Sequence, residues 1–146
     1  MPGWLKALLI VVIVGVVLAA GVIAAGVYYV YRNKDAWLAR AKEVATEGKD
    51  FGKHTDNQGC VDEGISRYKK DPGLTGVLSN SVFLRTCLEA SRATSGFCND
   101  VPKATEFVKT AQWRVQQCRQ VGLGSDSNCP NLFTPVQQFC QERLSQ

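Results

Sequence analysis

Six cysteines are the residues of this chain whose type and spacing point to definite chemistry. They are Cys60, Cys87, Cys98, Cys118, Cys129 and Cys140. An even number of cysteines in a small domain is typical of a disulfide framework. At least ten residues separate successive cysteines, so the chain lacks the C-x-x-C of thiol exchange, the C-x-x-C-H of haem attachment and the close ligand pairs of zinc sites. We therefore expect disulfides and no metal or cofactor.

Helix geometry restricts how these cysteines can pair. Cys98 and Cys118 flank a predicted helix of about 18 residues, which is about 27 Å long and exceeds the reach of a disulfide. A turn is predicted midway between Cys60 and Cys87 and another midway between Cys118 and Cys129, and each turn would bring its two cysteines together. Cys98 and Cys140 would then pair with each other. The favoured pairs are Cys60–Cys87, Cys118–Cys129 and Cys98–Cys140. A rival arrangement, which joins Cys87 to Cys98 and Cys60 to Cys140, stays open.

The single histidine and the one adjacent acidic pair form no catalytic arrangement. His54 has only Thr55 and Asp56 beside it, in a glycine-rich stretch whose polarity is typical of a linker. Asp62 and Glu63 lie near a predicted helix start, where the helix dipole favours negative charge. The chain has no phosphate-binding glycine loop and no EF-hand loop. We expect that it is not an enzyme.

The elements that must position the cysteines all have a helical pattern. The predicted fold is all-α, with an N-terminal single transmembrane helix followed by a small disulfide-stapled helical-hairpin bundle. The expected helices are one that ends at Asp71-Pro72-Gly73, one over Leu78–Arg92 capped by Ser79 or Asn80, one from Asp100–Pro102 to about Val121, and one from Thr134-Pro135 that includes Phe139, Cys140 and Leu144. The stripes expected to form their apolar faces are Val61, Ile65 and Tyr68; Phe83, Leu84, Cys87 and Leu88; and Phe107, Ala111, Val115 and Cys118.

The most apolar segment precedes all of these elements. Residues 7–30 carry no charged side chain, and a helix of that length can cross a bilayer core of about 30 Å. We predict a retained transmembrane helix over residues 7–31, after a short tail of residues 1–6. A cleaved signal peptide is the alternative, but its apolar core is shorter, about 7–15 residues. The aromatic residues expected at the two membrane interfaces are Trp4, Tyr28, Tyr29 and Tyr31.

Small residues within this helix have the spacing that lets helices approach closely in lipid. The candidate packing positions are Gly15, Ala19, Gly21 and Ala25. The segment after it, residues 32–59, is predicted to be a juxtamembrane helix broken at Gly48 and a glycine-rich linker that runs to Gly59. Residues 60–146 then form the cysteine-rich helical domain.

Charge and cysteines disagree about which side of the membrane holds this domain. Five basic residues follow the apolar run within 20 residues while only Lys6 precedes it, which favours the cytoplasm. Disulfides need an oxidising compartment and favour the periplasm or the extracellular space. We give the cysteines more weight because large domains are translocated despite their charge. From Arg32 onward, 16 basic and 13 acidic residues are interspersed, which is not a nucleic-acid-binding pattern.

These features favour a membrane-anchored extracytoplasmic interaction or scaffold module, an accessory subunit of a membrane or envelope complex without catalysis. Its expected partners are membrane lipid and another membrane or envelope protein, and no nucleic acid. One alternative is a thiol–disulfide redox protein of the envelope. The other is a cytoplasm-facing single-pass protein with free thiols.

Overall fold

The computed structural model describes residues 2–145, and this part of the chain is all-helical with no strand. The chain divides into two compact units, one up to Arg40 and one from Ala41 onward. The helices are α1 (Gly3–Gly52), α2 (Asn57–Lys70), α3 (Leu74–Ala90), α4 (Phe107–Gln120), a 3₁₀ helix (Cys129–Phe133) and α5 (Thr134–Leu144).

The first unit is the apolar part of α1. It is a candidate membrane-spanning helix, with a mean hydropathy of 3.1 over its most apolar 18-residue window and no buried residue there. It fits a single-pass membrane protein, although a signal sequence near an N-terminus passes the same test. Helix α1 begins at Gly3, where the N–H of Leu5 donates to the carbonyl of Pro2 over 3.1 Å. Residues 3–6, predicted to be a tail, are therefore helical.

The second unit begins with residues 41–52 of α1, and here the prediction of a helix end at Gly48 was wrong. The helix continues to Gly52, and both glycines are buried. A Cβ on Gly52 would lie 2.5 Å from the carbonyl oxygen of Cys87, and one on Gly48 would lie 2.5 Å from that of Phe83. The glycines of this segment therefore admit the backbone of α3. The predicted linker over residues 48–59 is reduced to residues 53–56.

Helices α2 and α3 form a hairpin joined by Asp71-Pro72-Gly73, as predicted. Asp56 caps α2 by accepting a hydrogen bond from the N–H of Gly59 over 2.9 Å. Gly73, with φ of 102°, has a backbone conformation that favours glycine and precedes the first residue of α3. Helix α3 therefore starts at Leu74, earlier than predicted, and Asn80 lies buried inside the helix instead of capping it.

The predicted faces of α2 and α3 meet in the core of the second unit. Aromatic packing extends this core towards α4 and α5, where Trp113 lies edge-on to Phe133 with ring centroids 5.9 Å apart. Its buried apolar residues are Cys60, Val61, Tyr68, Val77, Phe83, Leu84, Cys87, Leu88, Cys118, Cys129, Leu132, Phe133, Val136, Phe139 and Cys140.

Three disulfides link these elements, and they are the three favoured pairs. The Cα atoms are 5.8 Å apart in Cys60–Cys87, 5.4 Å in Cys98–Cys140 and 6.0 Å in Cys118–Cys129. The first joins α2 to α3, the second joins the segment after α3 to α5, and the third joins the end of α4 to the 3₁₀ helix.

Helix α4 departs most from its predicted form. It begins at Phe107, not near Pro102, because residues 101–106 form a loop. In the predicted inward stripe only Cys118 is buried, while Phe107, Ala111 and Val115 are exposed. Helix α5 begins at Thr134 with Pro135 in its first turn, as predicted.

Candidate functional site

The residues that could have supported acid–base chemistry are dispersed. His54 is exposed in the turn after α1. Asp62 accepts a hydrogen bond from Gln58, and Glu63 forms an ion pair with Arg67 at 3.0 Å. Within residues 2–145 no group of three or more histidine, cysteine or acidic side chains is placed to hold a metal ion. These side chains act as local structural contacts.

A tyrosine–carboxylate pair has the clearest electrostatic coupling in the second unit. The hydroxyl of buried Tyr68 donates to Asp126 over 2.7 Å and accepts from the N–H of Gly73 at 3.3 Å. Burial, followed by the hydrogen bond to Asp126, raises the pKa of Tyr68. The hydrogen bonds from Tyr68 and from the N–H of Asn128 lower the pKa of Asp126. The pair fixes the loop after α4 to the α2–α3 turn.

The inner face of α4 is unusually polar for a helix that packs against a core. Gln137 of α5 accepts a hydrogen bond from Arg114 over 2.6 Å, and its amide donates to Thr110 at 2.9 Å and to the carbonyl of Pro102 at 3.0 Å. Burial lowers the pKa of the Arg114 guanidinium. This part-buried network orients α4 against α5, although Nε of Arg114 has no hydrogen-bond partner among the described residues.

Helix α4 exposes four apolar residues among its polar ones, whereas a surface helix usually turns its apolar residues towards the core. We call Phe107, Val108, Ala111 and Val115 the α4 outer stripe. Phe107 is 80% exposed and Val108 is 70% exposed, although these residues recur at helical spacing as core residues do. Hydrogen bonds to Gln137 and the Cys118–Cys129 bridge hold the helix in this orientation.

A cleft of about 320 Å³ lies on the other side of α4. Its walls combine the aromatic rings of Phe97, Trp113 and Phe133 with the amides of Gln58 and Gln117. Thr94, Ser95 and the carboxylate of Asp100 add polar groups to the lining. Among the described residues the cleft holds no cluster of charged groups or metal ligands, so we assign it no ligand.

The remaining predicted positions lie in the apolar part of α1. Trp4, Tyr28, Tyr29 and Tyr31 are all more than 60% exposed. Gly15 and Gly21 have no atom within 4 Å of an added Cβ, and Ala19 and Ala25 are exposed, so none of these four meets a packing partner within the chain. The sequence pattern placed Phe107, Ala111 and Val115 on one stripe but did not indicate their exposure, and it did not single out Val108.

Comparisons with known proteins add no relative. No family model matches the chain, and neither the curated proteins nor the solved structures contain a significant match.

Proposed function

We propose that this protein is a membrane-anchored interaction module whose soluble unit is held outside the cytoplasm and docks onto an apolar helical surface of another membrane or envelope protein. The observation that carries the proposal is the α4 outer stripe. The four residues of this stripe are exposed on a helix that hydrogen bonds to Gln137 and the Cys118–Cys129 bridge hold in place. Exposed apolar patches of this kind mark interaction sites more often than catalytic ones.

The compartment is argued from the disulfides. All six cysteines lie in the described part of the chain and all are paired, a state that oxidising compartments maintain and the cytoplasm does not. Five of the six are buried. Burial disfavours the redox alternative, because thiol exchange requires that a thiolate reach the disulfide sulfur.

The anchor and the compartment are tested together by intact mass. The full chain is extracted from membranes and alkylated with and without prior reduction. A mass that retains the apolar segment and shows no alkylation before reduction supports the proposal. A mass that lacks the segment would indicate a cleaved signal peptide, and alkylation of all six cysteines without reductant would indicate a cytoplasmic unit.

The docking surface is tested by photocrosslinking in native membranes. A photoreactive residue replaces Val108 on the α4 outer stripe, and the matched control replaces Gln116, an exposed residue on another face of the same helix. We expect one discrete adduct from position 108, abolished by Phe107→Ser, and none from position 116. Equal adducts from both positions, or none from either, would contradict docking through this stripe.

A further inference from the structure

A second exposed apolar pair lies at the start of α3, far from the α4 outer stripe. Leu74 is 67% exposed and Leu78 is 51% exposed. They are four residues apart and so lie on one face of the helix. Neighbouring Val77, in contrast, is buried in the core. The pair therefore points outward from a helix that already has its inner contacts.

Basic side chains flank this pair. Lys69 and Lys70 end α2 immediately before the turn, and both are exposed. Asp71 follows them as the one acidic residue of the turn. Asp126, which also lies at this end, is engaged by Tyr68. Exposed leucines beside exposed lysines are the combination that binds a lipid interface, where the apolar groups insert and the ammonium groups meet anionic headgroups.

The contacts of two glycines in α1 show at which end of the second unit Leu74 and Leu78 lie. Gly48 approaches the carbonyl of Phe83, and Gly52, four residues later, approaches that of Cys87, also four residues later. Residues 41–52 and α3 therefore run in parallel. The start of α3 lies at the same end of the unit as Ala41, where the chain enters from the apolar segment.

Chain length limits how far this end can lie from the apolar segment. Ten residues separate Tyr31 from Ala41, so the two lie within about 35 Å of each other even if the segment between them were fully extended. Helix α4 ends near the loop that carries Asp126, which contacts Tyr68 at the α2–α3 turn, and its first residue, Phe107, lies about 20 Å along the helix from that end. Of the two exposed apolar surfaces, the one at the start of α3 lies at the tethered end.

We propose that Leu74, Leu78, Lys69 and Lys70 form a lipid-binding surface that rests on the bilayer which holds the anchor. The inference rests on the proposed function, because it requires that the apolar segment stay in the membrane. It assigns the two exposed apolar surfaces different partners: lipid at the α2–α3 turn and protein at the α4 outer stripe.

The test uses the full chain in vesicles of phosphatidylcholine with about one third phosphatidylglycerol. Nitroxide labels are placed singly by Leu74→Cys and, as a control of nearly equal exposure, by Val108→Cys. Intact mass first verifies that the three native disulfides remain. The readout is the ratio of collisions with oxygen, which partitions into lipid, to collisions with a water-soluble nickel complex.

We expect this ratio to be several-fold higher at position 74 than at position 108, and to fall at position 74 in a Lys69→Gln/Lys70→Gln variant. An aqueous ratio at position 74 would overturn the proposal, and an unchanged ratio in the double variant would overturn the part assigned to the lysines. A third label, Val17→Cys, separates the two proposals. A high ratio at position 17 with a low ratio at position 74 would refute only the proposed lipid-binding surface. Low ratios at both positions would refute the membrane anchor.

Discussion

Helix α1 contains glycines in two stretches, and the surroundings of these glycines differ between the stretches. In residues 3–40, Gly15 and Gly21 face open space. In residues 41–52, Gly48 and Gly52 each admit a carbonyl of α3, so closely that a Cβ would collide with it. Each stretch has small residues four positions apart, Gly15 and Ala19 in the first and Gly48 and Gly52 in the second, and such a spacing lets another helix pack closely. Among the described residues, only the second pair has such a helix, α3, against it. The spacing of small residues thus indicates that another helix can pack closely there. It does not indicate whether the same chain supplies that helix.

The contrast extends to how each region is stabilised. The apolar stretch makes its hydrogen bonds within one helix and buries nothing in the chain, so a bilayer would supply its remaining stability. The second unit buries its own core and closes it with three disulfides. Substitutions that unfold the second unit should therefore leave the apolar segment helical.

The largest effect is expected from removal of the Cys98–Cys140 bridge. The bridge closes 42 residues, and the loop-entropy relation gives a loss of about 4 kcal/mol in the free energy of unfolding for Cys98→Ser/Cys140→Ser. The same relation gives about 3 kcal/mol for Cys118→Ser/Cys129→Ser, whose bridge closes 11 residues. Denaturant unfolding of the full chain in detergent measures both.

The helicity of the apolar segment should survive in both double variants, as residual far-ultraviolet circular dichroism beyond the unfolding midpoint. Loss of that residual signal together with the domain signal would contradict the separation of the two units. A larger loss for the shorter bridge would show that strain or local packing, and not chain entropy, sets the contribution of each bridge.

The next largest loss of stability is expected where α1 packs against α3. Gly52→Ala places a methyl group against the carbonyl of Cys87, and we expect a loss of about 1–3 kcal/mol in the stability of the second unit. Gly21→Ala adds the same group where nothing lies within 4 Å. It should leave that stability unchanged. Thermal unfolding of the two variants in the same detergent checks the pair, and equal effects would contradict the packing described for α1 and α3.

The smallest effect concerns Tyr68→Phe, which removes the hydrogen bond to Asp126 and should lower the unfolding midpoint by a few degrees. Because the pKa of Asp126 lies below its ordinary value of 3.8, its stabilising contribution is present above pH 4 and is lost as the pH falls through the folded value. Because the pKa of Tyr68 lies above 10, its contribution is lost as the pH rises beyond 10.

The difference in midpoint between the parent chain and Tyr68→Phe should therefore be largest between these limits and narrow towards either extreme. Midpoints measured across pH check the expectation. Phe83→Leu, an apolar change in the same core, serves as the control, and its effect should not vary with pH. A pH-independent difference for Tyr68→Phe would show that the hydroxyl contributes packing alone.

How much of this fold the sequence predicted depends on whether the deciding contacts were local. The disulfide pairing followed from turn positions and helix lengths, which are local properties. Gly48 was misread as a helix end because a C-terminal glycine and a packing glycine look alike until α3 is placed against it. The predicted inward stripe of α4 was wrong for three of its four residues, because only Cys118 is buried. Its orientation depended on Gln137, which lies in another helix and gave no signal in the α4 sequence.

The positions of the bridges also determine what a single backbone cut would release. Cys60–Cys87 closes one covalent ring, and Cys98–Cys140 closes another that contains the third bridge. Between residues 60 and 140, only a cut within residues 88–97 separates the chain into two pieces. Arg92 is an exposed protease site in that stretch, but its N–H and carbonyl are hydrogen-bonded to Thr55 and Asn57. A protease that nicks a loop inside either ring would leave the molecule in one covalent piece, and the cut would become visible only after reduction.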